Sequence, residues 1–149
     1  MVDERFFDTL NYCICSAVNK AVGKQRAREV FRDVGRFHFK ALRENGAVKL
    51  GKTPLETLEN IARYLEKSGY MNRIEIRKTG ENEAIVDMYG VSVLDSSVKL
   101  TDEDREPSHI MTNTMFAALD EMGYEAELID LLFDKEANHV REKWIIKPK

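Results

Sequence analysis

Two side chains in the last third of the chain, His109 and Glu142, are of the types that anchor a polar group of a ligand or share a proton. His109 stands at the start of a helical segment, where a neutral imidazole serves either a site or the local cap. Glu142 belongs to a strand that alternates Val140, Glu142, Trp144 and Ile146 on one face with His139, Arg141, Lys143 and Ile145 on the other. The first face is the apolar one and should meet the core, which carries Glu142 inward or to the rim; the alternative leaves it wet at a strand edge. A carboxylate carried inward needs a partner or a raised pKa. The other two histidines promise less. His38 lies between Phe37 and Phe39 in a helix and reads as structural, and His139 opens the last strand beside a surface turn. No two histidines share a helix face at metal-ligand spacing, and no catalytic triad can be assigned.

Two further patterns carry chemistry in other proteins. Gly46 to Thr53 reads G-x-x-x-x-G-K-T, the spacing of a phosphate-binding loop. That loop needs a buried strand before it, whereas here a charged helix precedes it, and Pro54 removes an amide where the phosphate would sit. A helix connection closed by a cap is the expected structure. Cys13 and Cys15 are two apart on a helix, so their directions differ by about 200° and they can neither bridge nor share a metal. Two free thiols point to a reducing compartment, and a cytoplasmic location is expected.

The elements that must position these residues follow from the spacing of apolar positions. Residues 6–22 form a first helix with Phe6, Leu10, Cys13, Ala17 and Ala21 on one stripe and Phe7, Ile14 and Val18 beside it. A second helix runs from about 25 to 44 and should bury Ala27, Val30, Phe31, Val34, Phe37, Ala41 and Leu42. Thr53-Pro54-Leu55-Glu56 is a capping sequence for a third helix, which Gly69 ends. The period then becomes two: a strand over 73–77, a turn at 79–82 and a strand over 83–93 with Gly90 as a possible bulge. Residues 95–107 read as a polar loop. Ser108 caps a fourth helix that ends at Gly123, and strands over 125–133 and 139–146 close the chain. The order ααα-ββ-α-ββ with hairpin connections predicts an α+β domain over residues 1–149, with helices on one face of a twisted, four-stranded antiparallel sheet.

A chain of 149 residues with 43% hydrophobic content can bury a core without metals or disulfides. The formal charge of −3 is nearly balanced and the basic residues are interspersed with acidic ones, which argues against a nucleic-acid partner. No apolar run is long enough to span a membrane.

The element order, with Pro54-Leu55-Glu56-Thr57-Leu58, Ser68-Gly69-Tyr70, Ser108-His109-Ile110 and Glu142-Lys143-Trp144-Ile145-Ile146, resembles the 4-vinyl-reductase-like (hydrocarbon-binding) domain family. That family is related in fold to small subunits of the transport-particle tethering complex. The resemblance implies an apolar pocket between helices and sheet, and dimerisation through helices. Many members carry three cysteines where this chain has Ser108, Asp134 and Glu142, so the thiolate metal site is missing. An oxygen-rich substitute from His109, Asp134 and Glu142 is the one metal arrangement left open. Neither a metal nor a cofactor is expected, since no flavin or nicotinamide fingerprint supports the reductase activity in the family's name.

The expectation is therefore a binding module for an apolar small molecule, homodimeric through its first two helices. Phe31, Phe39, Met111, Met115, Phe116 and Trp144 are the candidate pocket wall, with His109 and Glu142 as polar anchors. The rival readings are a docking subunit with a filled core and an enzyme that pairs His109 with a carboxylate.

Overall fold

A computed structural model describes residues 2–149. The helix α1 (Glu4–Val22) starts at Asp3, whose carboxylate accepts from the amides of Arg5 and Phe6. It turns into α2 (Lys24–Glu44) at Gly23, whose φ of 82° lies where a side chain would be strained. The third helix, α3 (Pro54–Ser68), begins as the sequence predicts. Thr53 Oγ1 accepts from the Glu56 amide at 3.2 Å, and Glu56 Oε2 accepts from the Lys52 amide at 3.0 Å. Glu56 thus lies across Gly51, and the G-x-x-x-x-G-K-T segment is a link between two helices with no strand before it.

After α3 come β1 (Arg73–Lys78) and β2 (Glu83–Tyr89), then α4 (Leu94–Asp102), α5 (Ile110–Glu121), β3 (Tyr124–Asp134) and β4 (His139–Pro148). The four strands form one antiparallel sheet in the order β1-β2-β4-β3, which is the expected α+β architecture. Rows of paired residues run across its inner face: Ile74, Met88, Val140 and Phe133 in one, and Ile76, Val86, Glu142 and Leu131 in the next. A third holds Ala84, Trp144 and Leu128. The helices cover this face, and the main core lies between them and these rows.

Several local expectations are corrected. The segment read as a loop contains α4, whose buried positions are Leu94, Ser96 and Leu100. Too few of them are apolar to set a helical period. The second strand ends at Tyr89, and Gly90 follows it as a left-handed residue (φ 67°) against the Asn72 side chain. The bulge lies instead in β3, where the register shifts between Leu128 and Asp130. Ser108 does not cap α5: the cap position belongs to His109, and Ser108 Oγ donates to Asn11 Oδ1 at 2.9 Å.

The largest correction concerns α1 and α2. On α2 the buried line is Ala27, Phe31, Gly35, Phe39 and Leu42, while Val30, Val34 and Phe37 face solvent, Phe37 being 73% exposed. On α1 the buried line is Asn11, Cys15 and Asn19, and the stripe Phe6, Leu10 and Ile14 is exposed. On α1 the buried line is rotated by one residue from the stripe that hydrophobicity alone selects; on α2 the expected Ala27, Phe31 and Leu42 are buried, but Val30, Val34, Phe37 and Ala41 are not, because Gly35 and the two asparagines mark where the neighbouring elements approach.

Candidate functional site

Strand β4 is central, with β2 and β3 on either side, so Glu142 has no strand edge through which to reach water. It is 2% exposed and lies in the middle of the inner sheet face. Thr112, in the first turn of α5, donates its hydroxyl to Glu142 at 2.8 Å and 2.9 Å from the two carboxylate oxygens. The indole N–H of Trp144, two residues along the same strand face, donates to Oε1 at 2.8 Å. Glu142 and Thr112 line a small cavity of about 40 Å³, partly open to solvent, together with Tyr70, His109, Met88, Met111, Phe133 and Val140.

Tyr70 enters the cavity wall from the turn between α3 and β1. Gly69 caps α3 in the left-handed region, the Tyr70 amide donates to the Leu65 carbonyl, and the Tyr70 carbonyl accepts from Ser92. Burial first, and then the negative fields of Glu142 and Cys15, push the Tyr70 phenol well above its ordinary pKa. Burial likewise raises the Cys15 thiol, with hydrogen bonding at Ser108 partly offsetting it.

His109 is delivered by a loop that α1 and α2 hold rigidly. Asn19 both accepts from the Glu106 amide at 2.8 Å and donates to the Glu106 carbonyl at 2.9 Å. Arg28 clamps the Glu106 carboxylate with two bonds, at 3.0 Å and 3.1 Å. Asn11 donates to Ser96 on α4 and accepts from Ser108. The polar line on α1 is therefore the anchor of the segment ahead of α5. It leaves His109 in a left-handed conformation, φ 44° and ψ 46°, which for a residue with a side chain costs on the order of 1 kcal/mol or more. The imidazole Nε2 lies 4.0 Å from Glu106 Oε1, beyond hydrogen-bond reach. Glu142, in turn, takes its hydrogen bonds from Thr112 and Trp144. A bonded His–carboxylate pair at His109 is absent among the described residues.

Of the residues nominated from sequence, the structure brings His109, Met111 and Glu142 together on the cavity. It places the others elsewhere. Trp144 lies behind Glu142, fully buried, and meets Phe116 edge-on with ring centroids 4.9 Å apart. Phe116 lines an outer groove with Arg28, Arg32 and Arg105, which shares only His109, Thr112 and Leu131 with the cavity. Met115 is packed in the core, as is Phe39 beneath α2. Phe31 belongs to a separate small cluster with Cys15, Ala27 and Leu100. Sequence reasoning missed Tyr70 and Thr112. Tyr70 follows a helix-ending glycine, and Thr112 lies one turn from a nominated histidine, but nothing in either position alone shows which way it points. His38 ties α2 to α5 through Thr114 at 2.9 Å, and burial lowers its pKa. His139 is bound to Asp87 on the opposite sheet face at 2.7 Å.

The oxygen-rich metal arrangement does not assemble. Asp134 accepts from the Ala137 amide in the β3–β4 turn, and no group of three His, Cys, Asp or Glu side chains suited to a metal occurs among the described residues. Cys13 is exposed, Cys15 buried, and both are free.

No protein-family model matches the chain, and no curated protein matches it in sequence. Solved structures match it in fold. An H-NOX family structure, from work probing heme distortion, has a TM-score of 0.58 and 16% identity, with 91% of this chain and 69% of that one covered. An Fe(II) unliganded H-NOX protein from K. algicida has a TM-score of 0.54 and 11% identity, covering 83% of this chain and 64% of that one. The chain thus spans less than two thirds of the K. algicida protein. At such identities the likeness is one of fold, shared with heme-associated H-NOX domains and not particular to the 4-vinyl-reductase-like family.

Proposed function

We propose that the protein is a small-molecule-binding, sensory module of the cytoplasm, with its ligand in the cavity between α4, α5 and the sheet. Glu142 carries this reading: a carboxylate at the centre of an apolar sheet face, against a cavity, is costly unless it has something to bind. His109 and Tyr70 are its polar companions, and Met88, Met111, Phe133 and Val140 the apolar wall. The element order and this placement support the 4-vinyl-reductase-like reading, with the metal-site cysteines replaced by Ser108, Asp134 and Glu142. The two free thiols support a reducing compartment.

The H-NOX likeness raises heme as a ligand, and the residues do not fit it. The cavity of about 40 Å³ is far too small for a macrocycle. Trp144, Met115, Leu58 and Ile61 fill the main core and are essentially inaccessible, so the core holds no space for a macrocycle. The ligand is accordingly a molecule of few atoms. Titrating small polar fragments while following the backbone and methyl NMR signals tests this. Shifts confined to Tyr70, Met111, Thr112 and Val140 are expected; fragments that leave all four unmoved refute a binding cavity.

The exposed stripes favour a homodimer through the first two helices. Phe6, Leu10 and Ile14 on α1 and Val30, Val34 and Phe37 on α2 are large apolar side chains in water, with Phe6 61% and Ile14 52% exposed. A two-fold axis lets such a face cover its own copy. Sedimentation equilibrium at micromolar concentration should give a species near twice the 17.2 kDa chain mass, and Ile14→Asp should halve it. A wild-type species at the chain mass overturns the dimer.

A further inference from the structure

Among the described residues, three carboxylates are deeply buried: Asp87, Glu106 and Glu142. Asp87 is met by Arg77, Arg141 and His139, and Glu106 by Arg28. Glu142 alone has no Lys, Arg or His within ion-pair distance. Its partners are the Thr112 hydroxyl and the Trp144 indole N–H, and the latter can only donate, so the group is placed as an acceptor. Two neutral donors leave part of its lone-pair capacity unused, and it faces the cavity. A buried carboxylate without a counter-ion carries a large desolvation cost, which an opposite charge at contact relieves.

The remaining walls suit a cation too. Glu142 is the one carboxylate on the cavity, and no Lys or Arg lines it. The rings of Tyr70 and Phe133 and the thioethers of Met88 and Met111 make up much of the remaining surface. Aromatic rings attract an ammonium group and its polarised methyls through their negative faces. A carboxylate or phosphate ligand would meet only repulsion from Glu142. The cavity is small, about 40 Å³, and suits an ammonium nitrogen with a short alkyl group.

We infer that the cavity takes a small alkylammonium ion, its nitrogen on Glu142 and its alkyl end against Met111 and Phe133, an inference that rests on the cavity being a binding site. The alternative is a ligand without charge.

The test uses the intact chain at pH 7 and constant ionic strength, with ethylammonium, ethanol and acetate as probes of similar size and different charge. NMR shifts at Tyr70, Thr112 and Met111 report occupancy. Ethylammonium should bind about ten-fold or more tightly than ethanol, the difference expected for a charge-assisted hydrogen bond, with acetate weakest. Glu142→Gln should remove that preference. The wild-type ranking decides the matter even if the variant does not fold. Ethanol binding as well as ethylammonium at these residues overturns the inference and leaves the cavity as a binding site. Ethylammonium shifts found only at surface carboxylates also overturn it. If none of the three probes moves the cavity residues, the binding site and the inference fall together.

Discussion

Gly35→Ala is expected to lower the stability of the protein by about 2 kcal/mol, against its intrinsic effect. On an exposed helix the same change stabilises by about 1 kcal/mol, because alanine is the better helix former. At position 35 a Cβ atom would lie 2.5–2.6 Å from the backbone carbon and oxygen of Asn113 and from its Cβ. These atoms belong to α5 and cannot swing aside as a side-chain tip would. The two helices must separate, and forced overpacking costs about 1–3 kcal/mol, with a backbone clash at the upper end. Chemical denaturation monitored by circular dichroism gives the difference directly, provided the transition slope is unchanged. Gly35→Ala more stable than wild type would mean that α2 and α5 do not approach as described. The site supplies a second readout, since α5 also carries Thr112, whose bond to Glu142 should be disturbed as the helix shifts.

What the sequence makes legible is what neighbouring residues determine. The start of α3 is written in four residues, Thr53 to Glu56, and folds as those residues dictate. The inward turn of Glu142 follows from the two-residue period of β4, and the central place of that strand decides against a wet edge. By contrast, α4 is nine residues long and buries a serine, so its helical period is hardly visible. The burial of α1 and α2 depends on partners far along the chain. A hydrophobic stripe marks a face that seeks cover, but here α1 meets α4 and the polar segment ahead of α5, which need Asn11 and Asn19. On α1 hydrophobicity selected the adjacent face; on α2 it found Ala27, Phe31 and Leu42 but also made Val30, Val34 and Phe37 core residues.

The candidate site was partly legible for the same reason. His109, Met111 and Glu142 are close to the start of α5 or on the inner face of β4, places that local pattern fixes. Phe31, Phe39, Met115, Phe116 and Trp144 are buried or half-buried on the right elements, yet being buried does not decide which surround a cavity and which fill the core. Tyr70 reaches the cavity only because the turn after α3 folds under Ser92. Asp87 was invisible altogether. It occupies the outward face of β2, where alternation predicts a wet residue, and is buried only because neighbouring strands lay arginines over it.

That outward carboxylate should dominate the response of the fold to acid. Asp87 is 2% exposed although it points away from the helices. Arg141 donates to it at 2.8 Å and 3.2 Å, His139 at 2.7 Å and Arg77 at 3.2 Å, while Tyr89 stacks on the His139 ring and Arg73 lies over Tyr89. Burial by itself raises the pKa of the carboxyl; the hydrogen bonds from Arg141, His139 and Arg77 outweigh it and hold the group down to about 2. In the unfolded chain an aspartate titrates near about 3.9. The folded state therefore binds this proton less readily than the unfolded state, and ionised Asp87 stabilises the fold above about pH 4. The contribution fades as pH falls from about 4 to about 2, and is lost below that. The difference of nearly two pKa units corresponds to about 2 kcal/mol. Asp87→Asn should thus be less stable than wild type by about 2 kcal/mol at pH 7. The gap between the two should narrow through the pH 4 to pH 2 range. Measuring both by urea denaturation across that range separates Asp87 from every other carboxylate; a gap that stays constant down to pH 2 would show that Asp87 does not hold its charge in the way this cluster of cations requires.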